Sequence, residues 1–196
     1  VAARRLGVER VTGVVERSGK TVEVVDSAAC ALTNVFELNY EPAAADITAL
    51  VHLGAAILTV CILRGTTPLV VKDLTLETTS PWRNQPSPAE RVAVELDRVF
   101  EQLDEIADDH PLEPRSSQVS RLLLSGGGSR LKGLEEVLKT RVRCPIEFLE
   151  PFRKIDFPST DALARLVWDH AHCMPVAVGL ALRGLEVPTQ PASVPV

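Results

Sequence analysis

Short apolar runs and helical repeats alternate along the chain and predict a mixed α/β structure. Six apolar runs have the length of strands, and they cover residues 21–25, 47–53, 56–63, 68–76, 119–124 and 145–149. The second, third and fourth runs follow one another closely, with Gly54 and Arg64-Gly65 at the turns. This spacing predicts a meander of three antiparallel strands. The three leucines at residues 122–124 predict the central strand of the sheet, because a run without polar positions is typical of a strand buried on both faces.

Apolar residues recur at helical spacing in the rest of the chain. The longest pattern begins at a capping box, Ser87-Pro88-Ala89-Glu90, and ends before Pro111. Its apolar residues lie three or four positions apart, which predicts an amphipathic helix; they are Val92, Leu96, Val99, Leu103 and Ile106. Other helical patterns cover residues 2–18, 28–39 and 130–141, and a last region that Pro175 interrupts and Gly184 closes. Asp26 or Ser27 is expected to cap the second of these helices, and residues 77–88 are expected to form a loop.

The stretch Gly126-Gly127-Gly128-Ser129-Arg130 follows the three leucines and is the most informative for function. Glycine permits positive φ and carries no side chain, so the backbone can turn sharply and a flat group can lie against it. Ser129 is expected to be the N-cap of the next helix. A strand that ends in glycines at a helix N-terminus suits a nucleotide. The alternative is a turn that simply needs glycine, and the stretch matches neither a Walker A loop nor a dinucleotide-binding GxGxxG turn.

Composition narrows the function classes. The chain has 196 residues and is 45% hydrophobic, which is enough for a substantial core, and it contains no apolar stretch of the roughly 18 to 20 residues that cross a membrane. A net charge of −5, without a cluster of basic and aromatic residues, argues against a nucleic-acid partner. The four cysteines show no CxxC spacing, so we expect reduced thiols and a cytoplasmic location. His170, His172 and Cys173 are close in sequence, but the i, i+2 spacing of the histidines does not favour a metal site.

The ends of the chain differ from its middle. The first residue is Val1 rather than methionine, and we expect a preceding segment to be missing. Residues 1–186 are expected to form one unit, and the proline-rich residues 187–196 a disordered tail.

The order of elements and several motifs resemble one known family. Three meander strands followed by helix, strand, helix, strand and helix are similar to the ribonuclease-H-like domain of the actin, Hsp70 and sugar-kinase folds. Residues 24–38, 49–55, 63–65 and 73–74 resemble the second half of PilM proteins, the actin-like type IV pilus assembly family related to FtsA. Residues 123–134 resemble that family's adenosine-side motif. Glu150-Pro151-Phe152 and residues 176–184 resemble its C-terminal signature.

The resemblance implies an actin-like ATPase second domain, with a five-stranded mixed sheet and helices on both faces. It implies nucleotide contacts at Gly54, Gly126, Gly127, Gly128, Ser129 and Arg130. The family's phosphate-2 loop has Asp-x-Gly followed by hydroxyl residues, whereas this chain has His52 at the Asp position and Ala56, Ile57 and Leu58 at hydroxyl positions. A neutral imidazole does not replace a carboxylate that holds a metal ion through water, and apolar side chains offer phosphate no donors. We therefore expect no catalytic residue, no metal site, no certain cofactor and at most weak ATP binding.

The leading hypothesis is a scaffold of a type IV pilus or related secretion machine with a degenerate nucleotide site. The resemblance implies two partners, the tail of a PilN-like membrane protein and the pilus assembly ATPases. It implies a cytoplasmic location at the inner face of the membrane, held peripherally through those partners, and a first domain that is missing here or supplied by another subunit. One alternative is a domain of an active actin-like ATPase or phosphotransferase whose first domain is missing. The other is an FtsA-like cell-division protein, which the lack of a C-terminal amphipathic membrane helix disfavours.

Overall fold

The computed structural model describes residues 4–76, 86–109, 118–156 and 162–185. The predicted tail at residues 187–196 and most of the predicted loop at residues 77–88 lie outside these ranges. The helices are α1 (Arg5–Arg17), α2 (Ala28–Tyr40), α3 (Pro88–Asp109), α4 (Leu134–Arg141), α5 (Ala162–Asp169) and α6 (Pro175–Leu185). The strands are β1 (Ile47–Leu53), β2 (Ile57–Arg64), β3 (Thr67–Thr75), β4 (Arg121–Ser125) and β5 (Ile146–Phe148), and short 3₁₀ helices cover Gly127–Arg130 and Ala171–Cys173.

The strands form one five-stranded sheet in the order β3-β2-β1-β4-β5. β1, β2 and β3 pair antiparallel as the predicted meander, while β4 pairs in parallel with β1 and with β5. This mixed sheet confirms the predicted fold class. The expectation that the three leucines form the central strand was wrong, because β1 is the middle strand and β4 lies next to it. Leu123 is nevertheless fully buried, since helices cover the sheet around β4 on both faces.

Each face of the sheet has its own hydrophobic core. On one face, α3 and α4 pack over alternate strand residues that include Val51, Leu122 and Leu124. On the other face, α2 and α6 pack over the intervening residues Leu50 and Leu123. The alternation of strand side chains between the two faces explains why one short run of leucines contributes to both cores.

Helix α6 crosses α2 at very short range. A Cβ atom placed at Gly179 would lie 1.9 Å from the carbonyl oxygen of Ala31, so only glycine allows this approach. The amide of Asn34 also donates to the Gly179 carbonyl at 3.4 Å. An ion pair of 2.9 Å between Arg183 and Asp26 fixes the end of α6 beside the start of α2.

The predicted helix starts are confirmed at two places. The Ser27 hydroxyl accepts the Cys30 amide at 3.1 Å as the N-cap of α2. At the start of α3, the Ser87 hydroxyl accepts the Glu90 amide at 3.2 Å, and the Glu90 carboxylate accepts the Ser87 amide at 2.6 Å. This reciprocal pair is the predicted capping box, and its hydrogen bonds hold the pKa of Glu90 below its usual value.

Two local predictions were wrong. Residues 21–25 form no strand, because no strand of the described chain lies beside them, and a β-rich sequence needs a partner to form a ladder. Ser129 is not a helix N-cap, because α4 begins at Leu134 with Gly133 as its N-cap residue. Its hydroxyl donates to the carbonyl of Gly126 at 2.6 Å and closes the 3₁₀ turn instead.

Candidate nucleotide site

Two turns meet at one edge of the sheet, because β1 and β4 are parallel and their carboxyl ends lie side by side. One turn connects β1 to β2 through Gly54, and the other is the glycine turn after β4, at residues 126–128. Crevices at the carboxyl ends of such strands are the usual ligand sites of α/β sheets. The glycine turn is therefore placed where a nucleotide would be expected.

Packing between these turns already requires glycine at two of the three positions. Gly126 has φ of +88°, and a Cβ atom there would lie 2.2 Å from the Leu53 carbonyl oxygen. A Cβ atom at Gly128 would lie 2.9 Å from Cβ of Leu53, whereas one at Gly127 would meet nothing closer than the Cys173 sulfur at 3.9 Å. Close approach of β1 thus accounts for Gly126 and Gly128, and Gly127 is the glycine left open toward solvent.

A cavity of about 790 Å³ opens beside the two turns. Four parts of the chain line it: the end of β1 with its turn, the end of β3 at Thr75 and Leu76, the glycine turn, and the start of α3 with Pro86 before it. The lining residues include Leu53, Gly54, Ala55, Gly127, Gly128, Leu131, Arg91, Val92 and Glu95. A mostly apolar wall with a few polar groups is typical of a small-molecule site, and it offers a flat ring more contact than it offers a phosphate.

The predicted nucleotide-binding residues divide into two groups. Gly54, Gly127 and Gly128 line the cavity. Gly126 does not, and its amide already donates to the His172 carbonyl at 2.7 Å. Ser129 is buried and Arg130 is exposed, and neither of them lines the cavity.

His52 faces away from the cavity, toward the α2 and α6 side of the sheet, because it alternates with Val51 and Leu53. Its Nδ1 atom lies 3.0 Å from the Ser125 hydroxyl of β4. In the register of the sheet its other neighbour is Thr59, whose hydroxyl donates to Asp73 at 2.6 Å. Burial lowers the pKa of His52, so the imidazole is neutral near pH 7.

The three apolar residues after the β1–β2 turn provide no polar side chain to a phosphate. Leu58 is fully buried in the core under α3, and Ile57 is half exposed on the opposite face. Ala56 is exposed, but the cavity lining does not include it. Among the described residues, the amides of Ala55 and Ala56 donate to no other backbone group, so main-chain donors are the polar groups that this turn offers.

Sequence reasoning did not find the α3 side of the cavity. Arg91 and Glu95 are partly buried on the first turns of α3, one helical turn apart, and Glu95 pairs with Arg98 at 2.6 Å. In the sequence, Arg91 and Glu95 have the spacing of ordinary polar residues on the exposed face of an amphipathic helix. The sequence feature that could have pointed to them is their position shortly after the capping box, which places them in the first turns of α3.

A metal centre finds no support in the described residues. No group of three or more histidine, cysteine, aspartate or glutamate side chains there could hold a metal ion. The rings of His170 and His172 stack with their centroids 6.5 Å apart. Burial lowers the pKa of His172, and the positive charge of Arg130 lowers it further.

Comparison with known proteins gives this arrangement a context. A family model described as type IV pilus assembly protein PilM matches residues 111–185, which include the glycine turn. Among solved structures, the chain is similar to one in the PilM-PilN type IV pilus biogenesis complex, with 26% sequence identity and a TM-score of 0.67 over 94% of this chain. The chain is PilM-like. It spans 60% of the length of that PilM-PilN complex chain.

A second solved structure supports the fold alone. It is a protein of unknown function with an actin-like ATPase fold from Bacteroides thetaiotaomicron, with 12% identity and a TM-score of 0.52. The match covers 87% of this chain and 50% of that one. The search of curated proteins found no match. Within the described residues, no helix has both the length and the apolar character to cross a membrane.

Proposed function

We propose that this PilM-like chain is a scaffold of type IV pilus or related secretion machinery whose nucleotide site has lost its phosphate chemistry. The likeness to a PilM chain over 94% of the sequence supports the pilus assignment. The loss of phosphate chemistry is inferred mainly from His52. It is a neutral imidazole that contacts Ser125, at the position where the family resemblance implies a carboxylate. The glycines of the turn are retained, and the lining residues of the two turns, Gly54, Ala55, Gly127 and Gly128, carry no charge.

Binding of a metal ion and transfer of a phosphoryl group both require charged groups at this site. A magnesium ion is held by carboxylates and phosphates, directly or through water. His52 offers no negative charge, and it already contacts Ser125. Transfer of a phosphoryl group depends on positioning and on charge stabilisation. The turn offers no charged side chain that could position or stabilise a transferring phosphoryl group, so we expect no hydrolysis of ATP.

The adenosine side is different, because a flat purine needs shape and main-chain groups rather than charge. Gly127 and Gly128 give an open face to the cavity, and Leu53 and Leu131 form its apolar walls. Weak binding of a purine nucleoside at Gly54, Gly127 and Gly128 therefore accompanies the scaffold function.

A second candidate is the active ATPase, and one observation favours it. Ala55 and Ala56 have amides that donate to no other described backbone group, and main-chain amides at a turn can bind phosphate. In that case the carboxylate would come from a region outside this chain. The assay below separates the two functions.

The partners that we propose follow the same likeness. The similar PilM chain comes from a complex with PilN, which supports a PilN-like partner. Assembly ATPases of the pilus, a cytoplasmic location and peripheral attachment to the inner face of the membrane through these partners belong to the same proposal.

Release of inorganic phosphate from ATP and magnesium tests the proposal. We expect no release above background from the unmodified chain. The His52→Asp variant places a carboxylate at position 52, beside Ser125, and the His52→Gln variant keeps a neutral polar side chain there as the matched control. Release above background by the unmodified chain, whether or not it changes in the His52→Gln variant, would favour the ATPase and refute the scaffold with a degenerate site.

A further inference from the structure

A short segment between α5 and α6 packs against the glycine turn. It covers residues 170–174, which we call the clamp, and it contains the 3₁₀ helix Ala171–Cys173. The His172 carbonyl of the clamp accepts the Gly126 amide at 2.7 Å. On the open side of Gly127, the nearest group is the Cys173 sulfur, 3.9 Å from a Cβ atom placed at that glycine. Because Gly126 is the residue at which the chain leaves β4, its hydrogen bond to the clamp fixes the start of the turn.

The imidazole of His172 lies in this contact with one nitrogen unpaired. Its Nδ1 atom is buried, and no described residue lies within hydrogen-bond distance of it. An N–H donor is costly to bury without an acceptor, and a positive charge raises that cost. In the neutral tautomer with the hydrogen on Nε2, Nδ1 carries no hydrogen, whereas the imidazolium carries one on both nitrogens. The contact therefore fits neutral His172 and does not fit its protonated form.

The charges around His172 also oppose its protonation. The glycine turn contributes Arg130, and the clamp itself contributes His170, whose ring centroid lies 6.5 Å from that of His172. Burial first, and then the charges of Arg130 and His170, lower the pKa of His172. The other elements that pack against the clamp carry one exposed carboxylate and three arginines, namely Asp169 and Arg165 on α5, Arg121 on β4 and Arg183 on α6. Protonation of His172 thus puts a second positive charge, opposite Arg130, into the contact between clamp and turn.

We propose that His172 makes the glycine turn sensitive to pH. Neutral His172 holds the clamp on the turn. Protonation moves the imidazole out to solvent and breaks the hydrogen bond between the His172 carbonyl and the Gly126 amide. Gly127 and Gly128 follow Gly126 directly, so the face that they offer to the cavity loses its fixed shape in the acid form. The importance of that face for a nucleoside rests on the proposed function, whereas the response of the turn to pH does not.

The direction of the response follows from the lowered pKa. In the closed turn the pKa of His172 lies below its ordinary value of 6.5, so the open form binds the proton more readily. The closed turn is therefore favoured fully above about pH 7, and it opens as the pH falls through 6.5.

Hydrogen exchange of the Gly126 amide, followed by NMR on the whole chain without ligand, tests this inference. Protection is expressed relative to the intrinsic exchange rate at each pH between 7.5 and 5. We expect the protection of Gly126 to fall by roughly threefold or more over this range, because protonation stabilises the open turn. The ring resonances of His172 should titrate with the same midpoint. The Leu123 amide, which lies within the paired part of β4, should keep its protection.

Three variants sharpen the test. His172→Gln keeps the backbone carbonyl and removes the titrating group, so Gly126 should be equally protected at both ends of the pH range. Arg130→Gln should reduce the fall, since it removes the positive charge that protonated His172 meets. His52→Gln is the matched control, because it removes another imidazole near the end of β4, and the fall at Gly126 should remain.

Several results would overturn the inference. One is constant protection of Gly126 down to pH 5 in the unmodified chain, and another is an equal fall in His172→Gln. A third is a ring titration of His172 whose midpoint differs from that of the fall. Loss of protection at Leu123 in parallel with Gly126 is a fourth, because it would show global unfolding instead of a local opening. Phosphate release would refute the degenerate site without changing any of these exchange results.

Discussion

Replacement of Gly179 by alanine tests the close crossing of α2 and α6. The new Cβ atom would lie 1.9 Å from the Ala31 oxygen and 2.4 Å from its carbonyl carbon. Real Cβ atoms essentially never come within 3.0 Å of such atoms, so α6 would have to move away from α2 by about 1.1 Å. The two Ala31 atoms belong to the backbone, and the new Cβ atom is attached directly to Cα, so no side-chain rotation relieves the contact. Partly buried Val176, Val178 and Leu182 would lose packing as α6 moves.

The expected size of the effect follows from two opposing terms. Overpacking of a core costs about 1–3 kcal/mol, while alanine gains about 1 kcal/mol over glycine inside a helix. A clash with backbone belongs at the upper end of that range, so we expect a net loss of about 1–2 kcal/mol in the free energy of unfolding. Urea denaturation measures it as a lower midpoint at an unchanged slope.

The same substitution at Gly184 is the matched control on the same helix. A Cβ atom at Gly184 meets nothing within 4 Å, so Gly184→Ala should leave the midpoint unchanged or raise it. A Gly179→Ala protein that unfolds at the same urea concentration as the unmodified chain, or at a higher one, would refute the proposed contact between α6 and α2.

Two further predictions concern the sheet. Leu123→Ala should lower the free energy of unfolding by about 2–5 kcal/mol, because it removes a fully buried side chain and leaves a cavity, and an unchanged urea midpoint would contradict its place in the core. The pKa of His52 is lowered below its ordinary value of 6.5 in the folded chain, so the unfolded chain binds the proton more readily. Stability should therefore be fully present above about pH 7 and fall as the pH drops through 6.5 toward the folded pKa. Urea midpoints between pH 7.5 and 5 should fall less steeply in His52→Gln, and equal slopes in the two proteins would show that burial of His52 does not contribute.

Local signals in the sequence predicted most of the fold. The meander at residues 47–76 was predictable because short turns bring consecutive strands side by side, where they pair antiparallel. The capping box at Ser87 and Glu90 was predictable because its hydrogen bonds join residues three positions apart. Residues 21–25 have the composition of a strand, but a strand depends on a partner that lies far away in sequence or outside the chain.

The candidate site was only partly predictable. The glycine turn was found from the sequence, but its contact with Leu53 was not, because that contact depends on the parallel pairing of β1 and β4. The sequence also could not show that His52 faces Ser125 rather than the cavity, since the side that a residue takes in a strand is set by the whole sheet. Arg91 and Glu95 reach the cavity only after α3 packs across the sheet.

Affinity for adenosine compared with that for ATP and magnesium tests the central claim most directly. Isothermal titration of both ligands into the same preparation gives the two dissociation constants. We predict weak binding with equal constants within about threefold, since Gly127 and Gly128 offer a nucleoside an open backbone face while the two turns offer the phosphates and the metal no charged side chain. Binding of ATP with magnesium that is ten times tighter than that of adenosine, a difference of about 1.4 kcal/mol, would contradict the loss of phosphate chemistry.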